Sequence, residues 1–260
     1  MKKMLWLHLL RKKGQRRSGT AVILLPGLVP NSTLFDETTG RLAKAGDLWE
    51  LVYPNKYVDT NDLLASVTSE LKQLRYKKVV LVGVSFGGML AYLLLRYWRR
   101  HRASFEVKGL ITVSTPFDPW DVSWQAKTEL RFGYGLDKHV RRLFWGLLHL
   151  LRFVWRYDPR ADHRAYTLEN SPRQMTNGIR AGYILRQDRV VQFKFKNLPA
   201  LLLNTATSVR DQLVSRRNEQ SFKKIFTQGT VVRGLDEHAN LDCPNRAVRA
   251  ALNRFLATVA

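Results

Sequence analysis

A serine set between glycines is the feature of this sequence most able to do chemistry. Residues 83–88 read Gly-Val-Ser-Phe-Gly-Gly, between an apolar run that predicts a buried strand and a stretch with helical periodicity. A sharp turn from strand to helix exposes the serine oxygen at the positive end of the helix. Gly83 and Gly87 suit that turn because strand and helix approach too closely there for larger side chains. We interpret Ser85 as a nucleophile; the alternative is a glycine-rich turn of another doubly wound fold.

A histidine must accept the proton of such a serine, because a hydroxyl is unreactive at neutral pH without a base. The sequence contains six histidines, and His238 is the one that follows the last predicted strand. The others lie in the amino-terminal segment, after a helix end, or in the middle of the chain: His8, His101, His139, His149 and His163. After a serine on such a turn, the acid and then the histidine follow in chain order. We therefore predict that His238 is the general base.

Two aspartates compete for the role of the acid that orients this histidine. Asp211 follows the predicted strand 200–204, and Asp118 follows the strand that precedes a long insertion. Both loops leave the same edge of a parallel sheet, so either carboxylate can reach the histidine. We prefer Asp211 because the pattern Asp-x-Leu-Val returns the chain to the next helix, and Asp118 stays the alternative acid.

Two backbone N–H groups are needed to hold the negative charge that develops on the attacked carbonyl oxygen. One belongs to Phe86, the residue after the nucleophile. The second should come from the loop after the first strand, where Gly27 allows the turn and Leu28 offers its N–H. Pro26 is excluded because proline has no N–H. The predicted oxyanion hole is therefore formed by Leu28 and Phe86.

Strands that alternate with helices must position these groups. Apolar runs predict strands at Thr20–Leu25, 48–53, Lys78–Val84, 107–113, 200–204 and 229–233, and helical periodicity predicts helices at 61–75, 86–100 and 245–257. Such alternation predicts a parallel α/β sheet with right-handed crossovers. A chain of 260 residues is of the length expected for one large α/β domain.

The alternation stops between residues 120 and 196, where the chain is rich in Trp, Tyr and Arg. A helical insertion at this point of an α/β sheet is a typical cap or lid over a ligand site. We therefore divide the chain into a basic amino-terminal arm (1–19), a core (20–119 and 197–260) and a cap (120–196). Most aromatic residues of the cap should form its own core, and some should line an apolar pocket suited to an acyl chain or an aromatic ester.

With these motifs in place, residues 20–257 resemble the α/β-hydrolase superfamily. The resemblance rests on 83–88, on Pro-Gly-Leu at 26–28, on the acid loop that ends at 211–214, and on the loop that contains His238. It implies an α/β-hydrolase fold, a mostly parallel central sheet flanked by helices with a helical cap insertion, and a Ser–His–Asp hydrolase. Many members have His-Gly where this sequence has Pro-Gly, which leaves the backbone donor intact. Serine at the nucleophile position disfavours the dehalogenase and epoxide-hydrolase branches.

These residues together predict a serine hydrolase that cleaves carboxylic esters through an acyl-enzyme, similar to esterases and lysophospholipases. The chemistry requires no metal and no organic cofactor. An acyltransferase or a thioesterase would use the same triad, so both stay open as alternatives. A binding protein of the same fold without catalysis is the alternative from another class, and it is disfavoured because all three triad positions are occupied.

The charge of the chain concerns its partners rather than its reaction. There are 43 Lys and Arg against 21 Asp and Glu, a net charge of +22, which favours anionic partners. No zinc-finger spacing or RNA-binding aromatic motif occurs, so we expect no specific nucleic-acid binding. Apolar stretches within 1–17 and 143–155 can lie on an anionic membrane, but both fall short of the roughly 20 residues that a span needs.

The single cysteine, Cys243, excludes an internal disulfide and a zinc site built on cysteines. A lone cysteine without a recognisable signal peptide favours a cytoplasmic location. Peripheral contact with an anionic membrane stays open beside the alternative of a merely solvated basic surface.

Overall fold

A mostly parallel sheet lies at the centre of the computed structural model. Among the residues that the structure describes, its strands are β1 (Leu7–Leu9), β2 (Thr20–Leu25), β3 (Asp47–Leu51), β4 (Lys78–Val84), β5 (Glu106–Val113), β6 (Ala200–Thr205) and β7 (Gly229–Leu235). Their order across the sheet is β1-β3-β2-β4-β5-β6-β7. Strands β2 to β7 run parallel to their neighbours, and β1 is antiparallel to β3 at one edge. The carboxyl ends of the parallel strands therefore meet at one edge of the sheet.

Helices connect these strands. Within the described residues they are α1 (Asp36–Ala45), α2 (Thr60–Gln73), α3 (Phe86–His101), α4 (Arg217–Ile225) and α5 (Arg246–Val259), with a short 3-10 helix at Pro119–Asp121. The structure describes residues 7–9, 19–27, 36–53, 59–122, 193–206, 211, 214–236, 242 and 244–259. No helix in these ranges is both long enough and apolar enough to cross a bilayer.

The core has two layers, one on each face of the sheet. Strands β2 and β6 are buried along their whole length, and so is β4 after its first residue. Near-continuous apolar sequence is what a parallel strand needs when helices cover both of its faces. The apolar sides of α2, α3 and α4 pack on one face, and those of α1 and α5 pack on the other. This sandwich is a rigid platform for the loops at the carboxyl edge.

The predicted fold class is confirmed, since the structure has a parallel central sheet of the expected strands flanked by helices. Two elements were not predicted, β1 and α1, and the helix expected after the acid loop, α4, was predicted without bounds. Strand β1 is only three residues long and lies in the predicted basic arm, while α1 and α4 have mostly polar sequences with few apolar positions. The sequence of each element gives only a weak signal for its secondary structure, and contacts with the rest of the fold stabilise it. Most of the predicted cap, residues 123–192, lies outside the described residues, so the domain boundaries stay a prediction.

Candidate active site

Ser85 lies at the turn between β4 and α3 in an unusual backbone conformation. Its φ is 51° and its ψ is −116°, a combination that side-chain-bearing residues rarely adopt. The turn is held by two backbone hydrogen bonds: the Ser85 N–H donates to the carbonyl of Val113 at 2.7 Å, and the Gly88 N–H donates to the carbonyl of Ser85 at 3.0 Å. Strain of this kind costs about 1–3 kcal/mol and is concentrated at functional sites.

The glycines around Ser85 are required by close contacts between backbones. A Cβ on Gly83 would collide with the Cα of Gly88 and would lie 2.7 Å from the carbonyl oxygen of Gly87. A Cβ on Gly87 would overlap the carbonyl oxygens of Leu25 and Pro26. The end of β4, the start of α3 and the end of β2 therefore converge at a point where there is no room for a side chain.

The loop after β2 passes directly beside the serine. A Cβ built on Gly27 would lie 3.6 Å from the Cβ of Ser85. The buried side chain of Tyr53 holds this loop, because its hydroxyl donates to the carbonyl oxygen of Pro26 at 2.6 Å. The same ring packs against the ring of Phe86, with centroids 6.0 Å apart. One tyrosine thus contacts both chain segments from which the oxyanion donors were predicted to come.

Phe86 is the first residue of α3, so its N–H has no acceptor within the helix. That N–H lies at the positive end of the helix, where a developing negative charge is favoured. Its predicted partner, Leu28, lies outside the described residues.

Asp211 lies in the loop between β6 and α4, and its side chain is buried. Its Oδ1 accepts a hydrogen bond from the N–H of Val214 at 2.9 Å. The loop is attached to the segment after β5, since Val214 forms an antiparallel bridge with Val122 and the Ser215 N–H donates to the carbonyl of Asp121 at 2.7 Å. A buried carboxylate on an anchored loop at the carboxyl edge is well placed to orient an imidazole.

Asp118, the alternative acid, has a different setting. Its carboxylate accepts the N–H of Trp120 at 2.9 Å and caps the 3-10 helix Pro119–Asp121. A capping carboxylate satisfies a helix N–H that would otherwise lack an acceptor. Both carboxylates thus accept a backbone N–H, and they differ in that Asp211 is buried and Asp118 is only partly buried. His238, the residue that either acid would orient, lies outside the described residues.

Asp121 is a buried carboxyl group that the sequence analysis missed. Its Oδ2 accepts the N–H groups of Phe117 at 2.9 Å and Asp118 at 3.0 Å, and its Oδ1 accepts the hydroxyl of Ser221 at 2.8 Å. Burial raises the pKa of Asp121 to about 6 despite these hydrogen bonds. The spacing Asp-Pro-x-Asp is typical of a capped helical turn and is the signal from which this contact could have been predicted.

The chain also matches a known protein family. A model of the alpha/beta hydrolase family matches residues 8–251. The chain belongs to this family. A search of curated protein sequences finds no match.

Solved structures similar to this α/β hydrolase include enzymes of different specificity. The type II thioesterase BorB from the borrelidin biosynthetic cluster is 16% identical, with 100% of this chain and 98% of that chain covered and a TM-score of 0.65. RedJ, a thioesterase from the prodiginine biosynthetic pathway in Streptomyces coelicolor, is 16% identical over 92% of this chain and 85% of its own, with a TM-score of 0.61. An epoxide hydrolase from Bacillus megaterium is 15% identical over 96% of both chains, with a TM-score of 0.68. At these identities the likeness shows the fold alone.

A polar network fixes both ends of the acid loop in this α/β hydrolase. Asn204, in β6, and Asn218, in α4, exchange reciprocal amide hydrogen bonds of 3.0 and 3.1 Å. Asn204 also donates to Glu219 at 3.2 Å, and Glu219 is held by two hydrogen bonds from Arg233 in β7 at 2.8 and 2.6 Å. The hydrogen bonds from Arg233 lower the pKa of Glu219. The strands and helix on either side of Asp211 are therefore joined by side chains whose polar groups satisfy one another.

The structure brings Ser85, Phe86 and Asp211 to the carboxyl edge of the sheet, with Gly83 and Gly87 packed beneath them. Strand β7 ends at Leu235 at the same edge, three residues before His238. The described residues contain no cluster of His, Cys, Asp or Glu that could hold a metal ion. The roles assigned to the individual residues of the triad and oxyanion hole stay predictions.

Proposed function

We propose that this α/β hydrolase is a serine hydrolase of acyl esters, with Ser85 as nucleophile, His238 as base and Asp211 as acid. The single observation that carries the proposal is the backbone of Ser85: a non-glycine residue at φ 51° between strand and helix, surrounded by glycines that only a tight turn requires. Glycine would relieve the strain at this position, so a serine held between these glycines supports a chemical role for its hydroxyl.

In the proposed reaction, the Ser85 hydroxyl attacks the carbonyl carbon of the ester while His238 accepts its proton. The N–H groups of Phe86 and Leu28 hold the oxyanion of the tetrahedral intermediate. His238 then protonates the leaving alcohol, and the acyl group stays on Ser85. Water attacks the acyl-enzyme with His238 again as base, which releases the acid and restores the serine.

An apolar acyl chain is the substrate group that we favour. Trp120 begins the predicted cap, and 69% of its surface is exposed. Its carbonyl accepts a hydrogen bond of 3.5 Å from the Ser215 hydroxyl, so residue 120 is attached to the loop that carries Asp211. Whether the ester is a lysophospholipid or a smaller ester depends on residues 123–192, which lie outside the described residues.

Labelling with a fluorophosphonate probe tests the proposal, because the probe reacts only with an activated serine. We expect one adduct, mapped to Ser85 by mass spectrometry and lost in Ser85→Ala. Ser114→Ala is the matched control, since this second serine also has positive φ and lies at the end of the neighbouring strand β5. A folded protein that forms no adduct would favour the binding-protein alternative.

A thioesterase is the second candidate. It uses the same catalytic groups, and two of the similar structures described above are thioesterases. A pair of substrates with the same acyl chain, one an oxygen ester and one a thioester, separates the two activities. A kcat/KM at least about tenfold higher for the thioester would correspond to about 1.4 kcal/mol of selective transition-state binding and would favour the thioesterase. Transfer of the acyl group to an added alcohol would identify an acyltransferase.

A further inference from the structure

Three arginines of α3 gather around one aromatic ring. The guanidinium carbons of Arg96, Arg99 and Arg100 lie 5.3, 5.5 and 5.3 Å from the ring centroid of Phe193. Arg99 also donates from Nη1 to the carbonyl of Lys194 at 3.0 Å. Arginine over an aromatic face is attracted by the negative face of the ring. We call Arg96, Arg99 and Arg100 the arginine cluster.

Within the described part of the chain, the arginine cluster has no acidic partner. Among the described residues, Arg41, Arg233 and Arg249 form ion pairs with glutamates, whereas no ion pair involves the arginine cluster. The Nε of Arg96 is buried without a hydrogen-bond partner. Burial, together with the positive charge of Arg100, lowers the pKa of Arg96. The cluster is therefore a group of like charges whose repulsion an external anion would relieve.

The position of the cluster explains why the fold tolerates it. Arg99 and Arg100 lie in the last turn of α3, where the helix carbonyls favour positive charge. The ring of Phe193 supplies a second favourable contact. The backbone N–H of Phe193 donates to the hydroxyl of Tyr92 at 3.3 Å, which anchors this segment to the core. The side chains of Arg99 and Arg100 are exposed, so their outward N–H groups are available to a ligand.

The shape of the cluster favours phosphate groups at a surface over a nucleic-acid strand. The guanidinium carbons of Arg96 and Arg100 each lie 5.3 Å from the ring centroid of Phe193. The distance between these two carbons is therefore no more than twice 5.3 Å. This compact arrangement matches one or two phosphate groups, which guanidinium binds through paired hydrogen bonds. A single-stranded nucleic acid needs a longer basic groove with several stacking rings. Arginines beside a half-buried aromatic ring are also the side chains expected at a headgroup layer.

We propose that the arginine cluster docks this protein on an anionic phospholipid surface. The net charge of +22 attracts the chain to such a surface, and the cluster provides the point of contact. At 1.5 Å per helical residue, Arg96 and Arg100 lie about 16 and 22 Å along α3 from Ser85. Contact through the cluster therefore holds the catalytic edge away from the lipid. This inference concerns binding alone and does not depend on the proposed ester hydrolysis.

Sedimentation with phosphatidylcholine vesicles, with and without phosphatidylglycerol, tests the proposal. The double variant Arg99→Ala/Arg100→Ala removes two exposed charges of the cluster. The matched control is Lys223→Ala/Lys224→Ala, which removes two adjacent exposed charges from α4. For the arginine variant we expect about a thirtyfold loss of partitioning onto phosphatidylglycerol vesicles, which corresponds to about 1 kcal/mol per charge. For the lysine variant we expect a loss of about twofold or less, because only weak long-range attraction is reduced.

Three results would overturn the proposal. Equal losses in the two variants would show that net charge alone drives binding. Equal binding to vesicles without phosphatidylglycerol would show that anionic headgroups are not recognised. Tighter binding to duplex DNA than to vesicles, lost in the arginine variant, would assign the cluster to nucleic acid. A parallel assay on a soluble ester keeps this question separate from catalysis, since the arginine variant should retain wild-type activity with and without vesicles.

Discussion

Replacing Tyr53 by phenylalanine tests whether the loop beside Ser85 is held in place by one hydroxyl. The substitution keeps the ring that packs on Phe86 and removes the hydrogen bond of 2.6 Å to the carbonyl of Pro26. A buried carbonyl that loses its donor costs about 1–3 kcal/mol of folding free energy. The peptide that follows this carbonyl leads through Gly27 to the predicted oxyanion donor Leu28, so the loop should also become less well positioned.

The effect on catalysis has an upper limit. Loss of an entire oxyanion donor lowers kcat by about 10²–10³. Because Phe86 and the ring of residue 53 stay in place in Tyr53→Phe, we expect a smaller loss of kcat of about tenfold, or about 1.4 kcal/mol in the barrier. KM should change by about twofold or less, since the tetrahedral intermediate depends on the donor more than the bound ester does.

Tyr76→Phe is the control for Tyr53→Phe. Tyr76 is also buried, and its hydroxyl donates to Asp47 at 2.7 Å, but it lies just before β4 at the opposite edge of the sheet from Ser85. The Tyr76 hydroxyl also accepts a hydrogen bond from Nε1 of Trp49 at 3.1 Å, so urea unfolding should show at least as much destabilisation in Tyr76→Phe as in Tyr53→Phe. Steady-state hydrolysis of a p-nitrophenyl ester should show the loss of kcat in Tyr53→Phe alone. If Tyr53→Phe kept wild-type kcat while losing this stability, the positioning argument would be wrong.

Three further predictions concern the site. Asp211→Asn should lower kcat by about 10⁴ with the fold intact, and Asp118→Asn by about threefold or less; the reverse order in steady-state assays would make Asp118 the acid. Ser85→Gly should be more stable to urea than Ser85→Ala by about 1 kcal/mol, because glycine relieves the positive φ; equal stabilities would contradict the strain argument. Asp121 has a pKa raised from 3.8 to about 6. The native state therefore binds more protons than the unfolded state between these values, and wild type should lose about 3 kcal/mol from this group as pH rises from about 4 to about 6. Asp121→Asn should lack this loss. If the free energy of unfolding changed with pH in the same way in wild type and Asp121→Asn, the raised pKa would not be the cause.

The sequence was sufficient for the elements whose signals are local. The strand before Ser85 is continuously apolar, and the glycines on both sides of the serine mark a tight turn, so the position of the turn could be read without any long-range contact. The strand before Asp211 was found for the same reason. Such patterns are local because burial on both faces requires apolar residues at successive positions of a strand.

The supporting contacts could not be predicted because they join distant parts of the chain. Tyr53 and Pro26 are 27 residues apart, and Asp121 and Ser221 are 100 residues apart. Nothing in the sequence near Tyr53 indicates that its hydroxyl will end beside the loop after β2. Strand β1 poses the same problem, since three residues between cationic runs gain a partner only when β3 is in place. These contacts become visible only when the order of the strands is known.

The residues with strained backbone lie in two kinds of place, at helix ends and at the carboxyl edge of the sheet. Among the described residues, four other than glycine have positive φ: Arg75, Ser85, Arg102 and Ser114. Arg75 and Arg102 follow the ends of α2 and α3, where a left-handed residue commonly terminates a helix. Ser85 and Ser114 instead follow the neighbouring strands β4 and β5 at the carboxyl edge of the sheet, and the Ser85 N–H donates to the carbonyl of Val113, the residue just before Ser114. The hydroxyl of Ser114 is buried without a hydrogen-bond partner, whereas buried polar groups are normally hydrogen-bonded. This edge of the sheet therefore carries a second unfavourable feature. The two core layers that pack on the faces of these strands can support that local strain, and such rigid support agrees with the proposed role of Ser85.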